Sequence, residues 1–279
     1  MRNRRSFYFW PRIDVRRTCR ANSEENTSAL LEQLPELEGS MPLHSPQGIL
    51  YTACNAPYLD LYVHDLIRSA TIHSPSQHFH FHLFDPTPEA MASLQEQMDG
   101  KRLTVSWEHV DKAKIPIQVS GPIYYQVCRF IRLWQFVRAC QSPMFLVDAD
   151  AIVRNDLTAG IQEHAGRDAA LFLRLKHKNI RRRVLAAAAM FFPTELSLDF
   201  LRDCAAFMIP YVQRPAKEPI DQMLLYFAWR WHTKNVKDFD CGQLAKKYSD
   251  WDYADSSLVW HAKGSRKKDP MPLEKVLAP

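Results

Sequence analysis

The stretch from residue 142 to 157, SPMFLVDADAIVRNDL, limits what this chain can fold into more than any other. Four apolar residues run directly into Asp148 and Asp150, and apolar residues resume at Ala151. An unpaired buried carboxylate is very costly, so two acids at the end of a buried strand need a partner such as a metal ion, a cation or a set of hydrogen-bond donors. The pattern therefore indicates an ion or ligand site at the end of a strand.

Segments with strand character and segments with helix character alternate on both sides of this stretch. Strands are predicted at 48–54, 78–85, 102–110, 144–147, 168–176 and 256–261, and helices at 58–74, 86–100, 124–140, 197–212 and 218–231. Residues 181–193 fit a strand or a helix. This rhythm predicts an α/β fold with βαβ units and a mixed, mostly parallel sheet flanked by helices. Ligands gather at the carboxyl ends of the strands in such sheets, which is where Asp148 and Asp150 fall.

The length and charge distribution predict one catalytic domain with an N-terminal extension. A chain of 279 residues can bury a large core, and we place the domain at 48–270, the extension at 1–47 and a tail at 271–279. The first 20 residues hold seven arginines against one acid, and the next 20 hold five glutamates without Lys or Arg. Such blocks usually form solvated arms. Within the extension, a short helix capped by Thr27 or Ser28 is expected.

The apolar segments and the cysteines predict a cytoplasmic protein. No window approaches the roughly 20 apolar residues of a membrane-spanning helix, and the sequence begins without the pattern of a secretory signal. The six cysteines are scattered and form no C-x-x-C pair, which favours reduced, mostly buried thiols.

Three groups of residues suggest chemistry, each beside a simpler structural role. Asp148 and Asp150 suit hard cations such as Mg²⁺ or Mn²⁺, or they cap the strand and pair with arginines. Asp221, followed by Gln222, caps the next helix or faces a ligand. His261 ends an apolar strand before a basic, glycine-containing segment, which is either a solvated tail or a site for a cation and a phosphate.

In order and approximate spacing, these groups resemble glycosyltransferase family 8, whose members are retaining enzymes of the GT-A fold. The resemblance runs from about Gly48 to Lys268. Its motifs are the strand-turn-helix GILYTACNAPYLDLYVHDLIRSA, the strand FHFHLFD, the helix YYQVCRFIRLW with Arg129, the run FLVDADAIVRNDL, the pair Asp221-Gln222, and an H-x-x-G-x-x-K motif at His261, Gly264 and Lys267.

The resemblance implies a metal-dependent transfer of a sugar from a nucleotide-sugar donor, with UDP-sugar expected, to a glycan or lipid-linked acceptor. It implies that Mn²⁺ or Mg²⁺ is held by Asp148, Asp150 and His261, and that Asp221 and Gln222 lie near the anomeric carbon. The residues it places on the donor are Asn55, Arg129, Asp148, Gly264 and Lys267. By family analogy, the acceptor belongs to the biosynthesis of a bacterial surface polysaccharide or lipopolysaccharide.

The chain departs from the family pattern at positions that bear on specificity. Ala186-Ala187-Ala188 stands where the family usually has N-[AS]-G before an apolar strand, which leaves the transferred sugar open. Asn55, after Cys54, stands where the family usually has an acid that reads the base. Asn55 fits uracil, and cytosine or another base stays open. Lys268-Asp269 replaces the usual Pro-Trp.

Two other classes of protein share single features with this chain. Haloacid-dehalogenase-like phosphatases also place D-x-D after a run of apolar residues, and Asp148 would then be the nucleophile. Their motif ordinarily lies near the start of the domain and is followed by Gly-Thr, unlike here. A nucleic-acid-binding module would need basic and aromatic residues along one surface. Only the arm RRSFYFWPR offers them, so we expect no nucleic-acid partner.

The same arm suggests a peripheral contact with the inner face of a membrane. Residues 1–20 interleave arginines with aromatic residues, as segments that rest on anionic lipid do. The alternatives are that its aromatic residues pack back onto the domain or that the arm is disordered.

Overall fold

A computed structural model describes residues 4–98, 102–110, 121–212 and 220–261. Its main feature is an eight-stranded sheet with the order β1-β4-β3-β2-β5-β8-β7-β9. These strands are β1 (Glu38–Gly39), β2 (Ile49–Asn55), β3 (His78–Phe84), β4 (Leu103–Glu108), β5 (Met144–Val147), β7 (Ala169–Leu173), β8 (Val184–Phe191) and β9 (Cys241–Gln243). A second sheet pairs β6 (Ala151–Val153) with β10 (Val259–His261).

The direction of the strands is mixed and mostly parallel, which confirms the predicted fold class. The pairs β2–β3, β3–β4, β2–β5 and β7–β9 are parallel, whereas β1–β4, β5–β8 and β7–β8 are antiparallel. The carboxyl ends of β2 and β5 therefore lie at the same edge of the sheet. The connection from β7 to β8 reaches that edge too, because β7 runs in the direction of β5.

Helices cover both faces of the sheet. They are α1 (Arg4–Ala21), α2 (Glu24–Leu31), α3 (Ala56–Tyr58), α4 (His64–His73), α5 (Pro88–Met98), α6 (Gly121–Cys140), α7 (Leu157–Gln162), α8 (Glu195–Val212) and α9 (Ile220–Asn235), with a π-helical turn at Leu59–Val63 between α3 and α4. Side chains alternate between the faces along a strand. Accordingly, Tyr51 belongs to the core under α6, α8 and α9, and its neighbour Leu50 belongs to the core under α4.

In two strands, burial within the sheet decides the local structure or the charge of the side chains. Residues 184–191, whose alanines favour a helix in isolation, form β8, because this segment lies between β5 and β7 and is buried throughout. In β3, His80 and His82 are buried against Phe136, and burial lowers the pKa of both imidazoles. They are therefore neutral members of the core at pH 7.

The N-terminal segment packs on the domain instead of forming the solvated arms that its charge blocks predict. Helix α1 packs against α8 and α9, Val15 is buried, and β1 extends the sheet beside β4. The prediction that Thr27 or Ser28 caps the short helix of this segment was wrong. Helix α2 begins at Glu24 because the Ser23 side chain accepts a hydrogen bond from Asn26 N, whereas the Thr27 hydroxyl donates to Asn22.

The boundary at residue 47 and the contact of residues 1–20 with a membrane stay predictions. In the part of the chain that the structure describes, no helix combines the length and the apolar character needed to cross a bilayer.

Candidate functional site

A cavity of about 570 Å³ opens at the carboxyl ends of β2 and β5. It lies at the edge where the sequence predicts a site. Residues from both halves of the sheet and from the helices α3, α6 and α9 line it: Ala53, Cys54, Asn55, Tyr58, Tyr125, Gln126, Arg129, Asp148, Ala149, Asp150, Arg174, Arg182, Leu185, Ala186, Ala187, Asp221 and Gln222.

Hydrogen bonds between strands and α6 fix the floor of this cavity. The Thr52 hydroxyl donates to Val147 O at 2.6 Å, which ties β2 to the last residue of β5. The Tyr51 hydroxyl donates to Arg129 O at 3.0 Å and so anchors α6 at the residue that faces the cavity. The chain turns after Val147, with Ala151 N donating to Asp148 O at 3.1 Å. This turn places Asp148 and Asp150 on the wall.

Arg129 joins the D-x-D motif to the Asp221-Gln222 pair. Its Nη1 donates to Asp148 Oδ1 at 2.5 Å, and its Nη2 donates to Asp221 Oδ2 at 3.1 Å. Asp221 lies in the first turn of α9 and is buried. A planar guanidinium presents donors in a fixed fork, so one arginine can satisfy two carboxylates from different elements. Three separate segments thus converge on one point.

Burial and ion pairing act in opposite directions on these charges. Burial works to lower the pKa of Arg129, but Asp148 and Asp221 outweigh it and raise the pKa, so the guanidinium stays charged. Burial raises the pKa of Asp221 above its ordinary value, and Arg129 opposes that shift. Asp221 is therefore a carboxylate that depends on Arg129 for its negative charge.

Several buried polar atoms of the cavity residues have no hydrogen-bond partner among the described residues. They are Gln126 Oε1, Arg129 Nε, Arg174 Nε, Asp221 Oδ1 and Gln222 Oε1. Buried polar atoms are nearly always paired with protein, water or ligand, and leaving one unpaired costs about 1–3 kcal/mol. Five such atoms around one cavity are the pattern expected of a site for a polar ligand.

His261 lies beside the D-x-D motif in the backbone but does not line the cavity. Its Cα is paired with that of Ala151 in the β6–β10 sheet, and its buried imidazole Nδ1 is 3.2 Å from Ser249 Oγ. Asp148, Asp150 and His261 do not have ligand atoms grouped within 4.8 Å of one another in this structure. Their role as metal ligands stays a prediction.

Among the described residues, the potential metal ligands whose atoms do lie within 4.8 Å of one another are those of Cys19, Asp203 and His232. These side chains belong to α1, α8 and α9. His232 Nε2 is 3.0 Å from Asp203 Oδ2, and burial raises the pKa of the Cys19 thiol. His232 follows Asp221 by eleven residues on α9, about 16 Å along the helix axis. The group is thus separate from the cavity.

The predicted site residues are distributed as follows. Asn55, Arg129, Asp148, Asp150, Asp221 and Gln222 all line the one cavity. Gly264 and Lys267 lie outside the described residues, as does the predicted tail at 271–279. Ala186 and Ala187, at the positions where the resemblance leads one to expect N-[AS], form part of the wall.

Sequence reasoning missed four polar residues of the wall: Tyr125, Gln126, Arg174 and Arg182. Tyr125 and Gln126 precede Arg129 by one helical turn, so the helical period alone could have placed them on the same face. Arg174 lies near the end of the predicted strand at 168–176, and Arg182 lies in the basic run that follows it, where the charge density was the available signal.

Several solved structures with a similar fold are glycosyltransferases. The apo-form glycosyltransferase GlyE of Streptococcus pneumoniae TIGR4 matches at a TM-score of 0.54 and 12% identity, over 84% of this chain and 62% of its own. The galactosyltransferase LgtC, solved with donor and acceptor sugar analogs, matches at a TM-score of 0.54 and 13% identity. The match covers 82% of this chain and 93% of LgtC. The bifunctional glycosyltransferase WbbM matches at a TM-score of 0.52 and 9% identity. The match covers 85% of this chain and 50% of WbbM.

The chain has the GT-A fold. It spans about three-fifths of the length of GlyE and half of WbbM, and at these identities the likeness concerns the fold alone. No protein-family profile and no curated protein matches the sequence.

Proposed function

We propose that this protein is a glycosyltransferase of the family 8 type, which moves a sugar from a nucleotide-sugar donor to a glycan or lipid-linked acceptor with retention. The observation that carries the proposal is the Arg129 bridge. It holds the acid of the D-x-D motif and the acid of the D-Q pair in one cavity, at the ligand-binding edge of a GT-A sheet. The resemblance in sequence and the solved structures of similar fold support the same function.

The order of the strands suggests how the donor lies in the cavity. Asn55 ends β2, and the D-x-D motif follows the neighbouring strand β5. Asn55 offers an amide donor and an acceptor to the edge of a base such as uracil. The diphosphate would then lie across Asp148 and Asp150. The transferred sugar would follow, beside Asp221 and Gln222.

The residues near the diphosphate fit a divalent cation by their donor chemistry. Carboxylates such as Asp148 and Asp150 are ligands for Mn²⁺ and Mg²⁺, and imidazole suits Mn²⁺. His261 belongs to a strand that is paired with the residue after the motif. Such an ion, when bound by these three residues, would neutralise charge on the diphosphate that departs. Lys267 would add a mobile ammonium to the same phosphates.

Arg129 would organise the reacting end of the donor. Asp148 and Asp221 already neutralise the charge of Arg129, so the role of Arg129 would be to hold these two acids in place. Its Nε, which has no partner among the described residues, would donate to the ligand. Asp221 and Gln222 would contact the sugar near its anomeric carbon as the glycosidic bond breaks, when the sugar acquires oxocarbenium-like charge. Burial raises the pKa of Asp221 and Arg129 opposes that shift. In its ionised form, Asp221 would stabilise such a cation more strongly in this buried setting than in water.

A phosphatase that uses Asp148 as its nucleophile is not favoured. The Asp148 carboxylate is engaged by Arg129 at 2.5 Å, and the solved structures of similar fold are glycosyltransferases. An arginine at that distance lowers the nucleophilicity of the oxygen that it binds.

The experiment that tests the proposal measures release of nucleotide from UDP-, CMP- and GDP-sugars, with and without Mn²⁺. We expect metal-dependent release from one nucleotide series in the wild type, UDP-sugars being favoured. Asp150→Asn should lower it about 100-fold, because it removes one charged ligand of the ion that would stabilise the leaving group. Asp255→Asn, at a fully exposed position away from the cavity, is the matched control and should be unaffected.

Two results would contradict the proposal. One is hydrolysis of phosphorylated small molecules without turnover of any nucleotide-sugar, which would indicate the phosphatase. The other is salt-sensitive binding of DNA or RNA with neither activity.

A further inference from the structure

The connection between β7 and β8 carries a dense positive charge. Residues 174–183, RLKHKNIRRR, contain six arginines and lysines and no acid. Like charges at this density repel one another, and the described structure pairs neither Arg174 nor Arg182 with a carboxylate. Arg183 differs, since it donates to Tyr226 OH at 2.9 Å and to His177 O at 3.1 Å, which explains it as a structural residue.

Arg174 and Arg182 both line the cavity. Arg174 Nε is buried without a hydrogen-bond partner among the described residues. Burial, and then the charge of Arg182, lower the pKa of Arg174, so the two guanidinium groups lie close enough to repel each other. Two arginines that line one cavity, feel each other's charge and pair with no carboxylate among the described residues are an arrangement that can receive an oxyanion, because each can offer paired N–H donors.

The position of this pair separates it from the donor end of the cavity. In the sheet, β2 with Asn55 is followed by β5 with the D-x-D motif, then by β8 and β7. Neighbouring strands lie about 4.8 Å apart, so both arginines lie on the far side of the motif from β2. Arg182 precedes β8, one strand spacing or about 5 Å beyond β5, and Arg174 follows β7, about 10 Å beyond it. A donor that places its base at β2 and its diphosphate at β5 leaves that side of the cavity to the acceptor.

We propose that Arg174 and Arg182 bind a phosphate or carboxylate group of the acceptor, which is therefore an anionic glycan. This inference rests on the proposed function, because it assigns the acceptor side of the same cavity. A phosphorylated sugar and a uronic acid share the oxyanion that the arginine pair recognises. A neutral sugar lacks it.

The test is a calorimetric binding titration of glucose 6-phosphate, glucuronate and glucose, with EDTA present and no nucleotide. The wild type should bind the phosphate or the carboxylate probe at least tenfold more tightly than glucose. Arg174→Gln and Arg182→Gln should each weaken binding of the anionic probe about tenfold, the scale of one charged hydrogen bond. Arg→Lys at the same positions keeps the charge without the planar fork and should give intermediate affinity.

Lys178→Gln is the matched control, because Lys178 is exposed in the same connection and does not line the cavity. It should leave the affinity unchanged. The proposal fails if glucose binds as tightly as the anions, if the Gln variants bind as the wild type does, or if Lys178→Gln weakens binding as much as they do. Metal and nucleotide are absent from this titration, so its result is independent of whether donor turnover is observed. Thermal unfolding of each variant verifies that it is folded.

Discussion

Arg129 makes contacts that span most of the chain. It reaches Asp148, 19 residues away, and Asp221, 92 residues away, while its own carbonyl oxygen accepts the Tyr51 hydroxyl. A buried ion pair is stable only while both partners are present, and removing one partner typically costs 3–5 kcal/mol. The same residue is therefore important for stability and for the geometry of the cavity.

We expect Arg129→Lys to affect both properties. A lysine can reach one carboxylate but cannot present a planar fork to two, so Asp221 or Asp148 loses its partner. The free energy of unfolding should fall by about 2–4 kcal/mol, and the rate of nucleotide release should fall by at least tenfold. Denaturant unfolding and the nucleotide-release assay measure the two effects.

Arg138→Lys is the control for that substitution. Arg138 lies on the same helix, is half exposed and pairs with the exposed Glu24, an interaction of small net energy. If Arg129→Lys were as stable and as active as Arg138→Lys, the bridge would have no energetic significance.

At the scale of elements, the segment between a 3₁₀ turn at Lys246–Tyr248 and β10 determines where His261 lies. Asp250 organises that segment, because its carboxylate accepts hydrogen bonds from Asp252 N at 3.0 Å, Ala254 N at 2.8 Å and Ser257 Oγ at 2.5 Å. Its carbonyl oxygen accepts His261 N at 2.8 Å. Burial acts to raise the pKa of Asp250, but these hydrogen bonds outweigh it and lower the pKa to about 2.

The sign of the pH dependence follows from that shift. The folded pKa of about 2 lies below the ordinary value of 3.8, so the carboxylate stabilises the folded state at every pH above 3.8. That contribution, on the order of 2 kcal/mol, is lost as the pH falls from about 4 to about 2. We expect Asp250→Asn to be less stable than the wild type at pH 7 and to approach it in this acidic window.

Denaturant unfolding at a series of pH values measures this difference. Asp255→Asn, in the same segment but fully exposed, should show no such convergence. If the difference in free energy of unfolding between Asp250→Asn and the wild type stayed constant from pH 7 to pH 2, the assigned role of the carboxylate would be contradicted.

At the scale of the whole molecule, α1 is attached to the domain through a buried polar cluster. Asp203 on α8 accepts a hydrogen bond from Asn22 Nδ2 at 2.9 Å, just beyond α1, and its other oxygen is 3.0 Å from His232 Nε2 on α9. Cys19 lies in the same group. One carboxylate thus connects three helices, and the cost of burying it is offset only while these partners are present.

We expect Asp203→Ala to loosen α1. The substitution leaves His232 and Asn22 without an acceptor, which should lower the free energy of unfolding by about 2–4 kcal/mol. Limited trypsin digestion should cut faster at the arginines between residues 12 and 20. Asp199→Ala is the matched control, since Asp199 lies one turn earlier on α8, is partly exposed and pairs only with Arg202. Equal cleavage rates in the two variants would contradict the inference that this cluster holds α1 on the domain.

The sequence by itself determined most of the longer strands and helices after residue 47 and the edge of the sheet where ligands gather, but not α1, α7, β1, β6 or β9. The order of strands and helices, and the position of Asp148 and Asp150 after a buried strand, depend on local periodicity and on the cost of burying charge, both of which can be read along the chain. The resemblance placed Asn55, Arg129, Asp221 and Gln222 together, and the structure brings them into one cavity.

Only the tertiary structure decided which partners satisfy the buried charges. The choice of a strand for residues 184–191, the bridge through Arg129, the attachment of α1 through Asp203 and the position of Arg174 and Arg182 depend on contacts between segments that are distant in sequence. Local propensity cannot specify such contacts, because their energy comes from desolvation and pairing that exist only after the elements have packed.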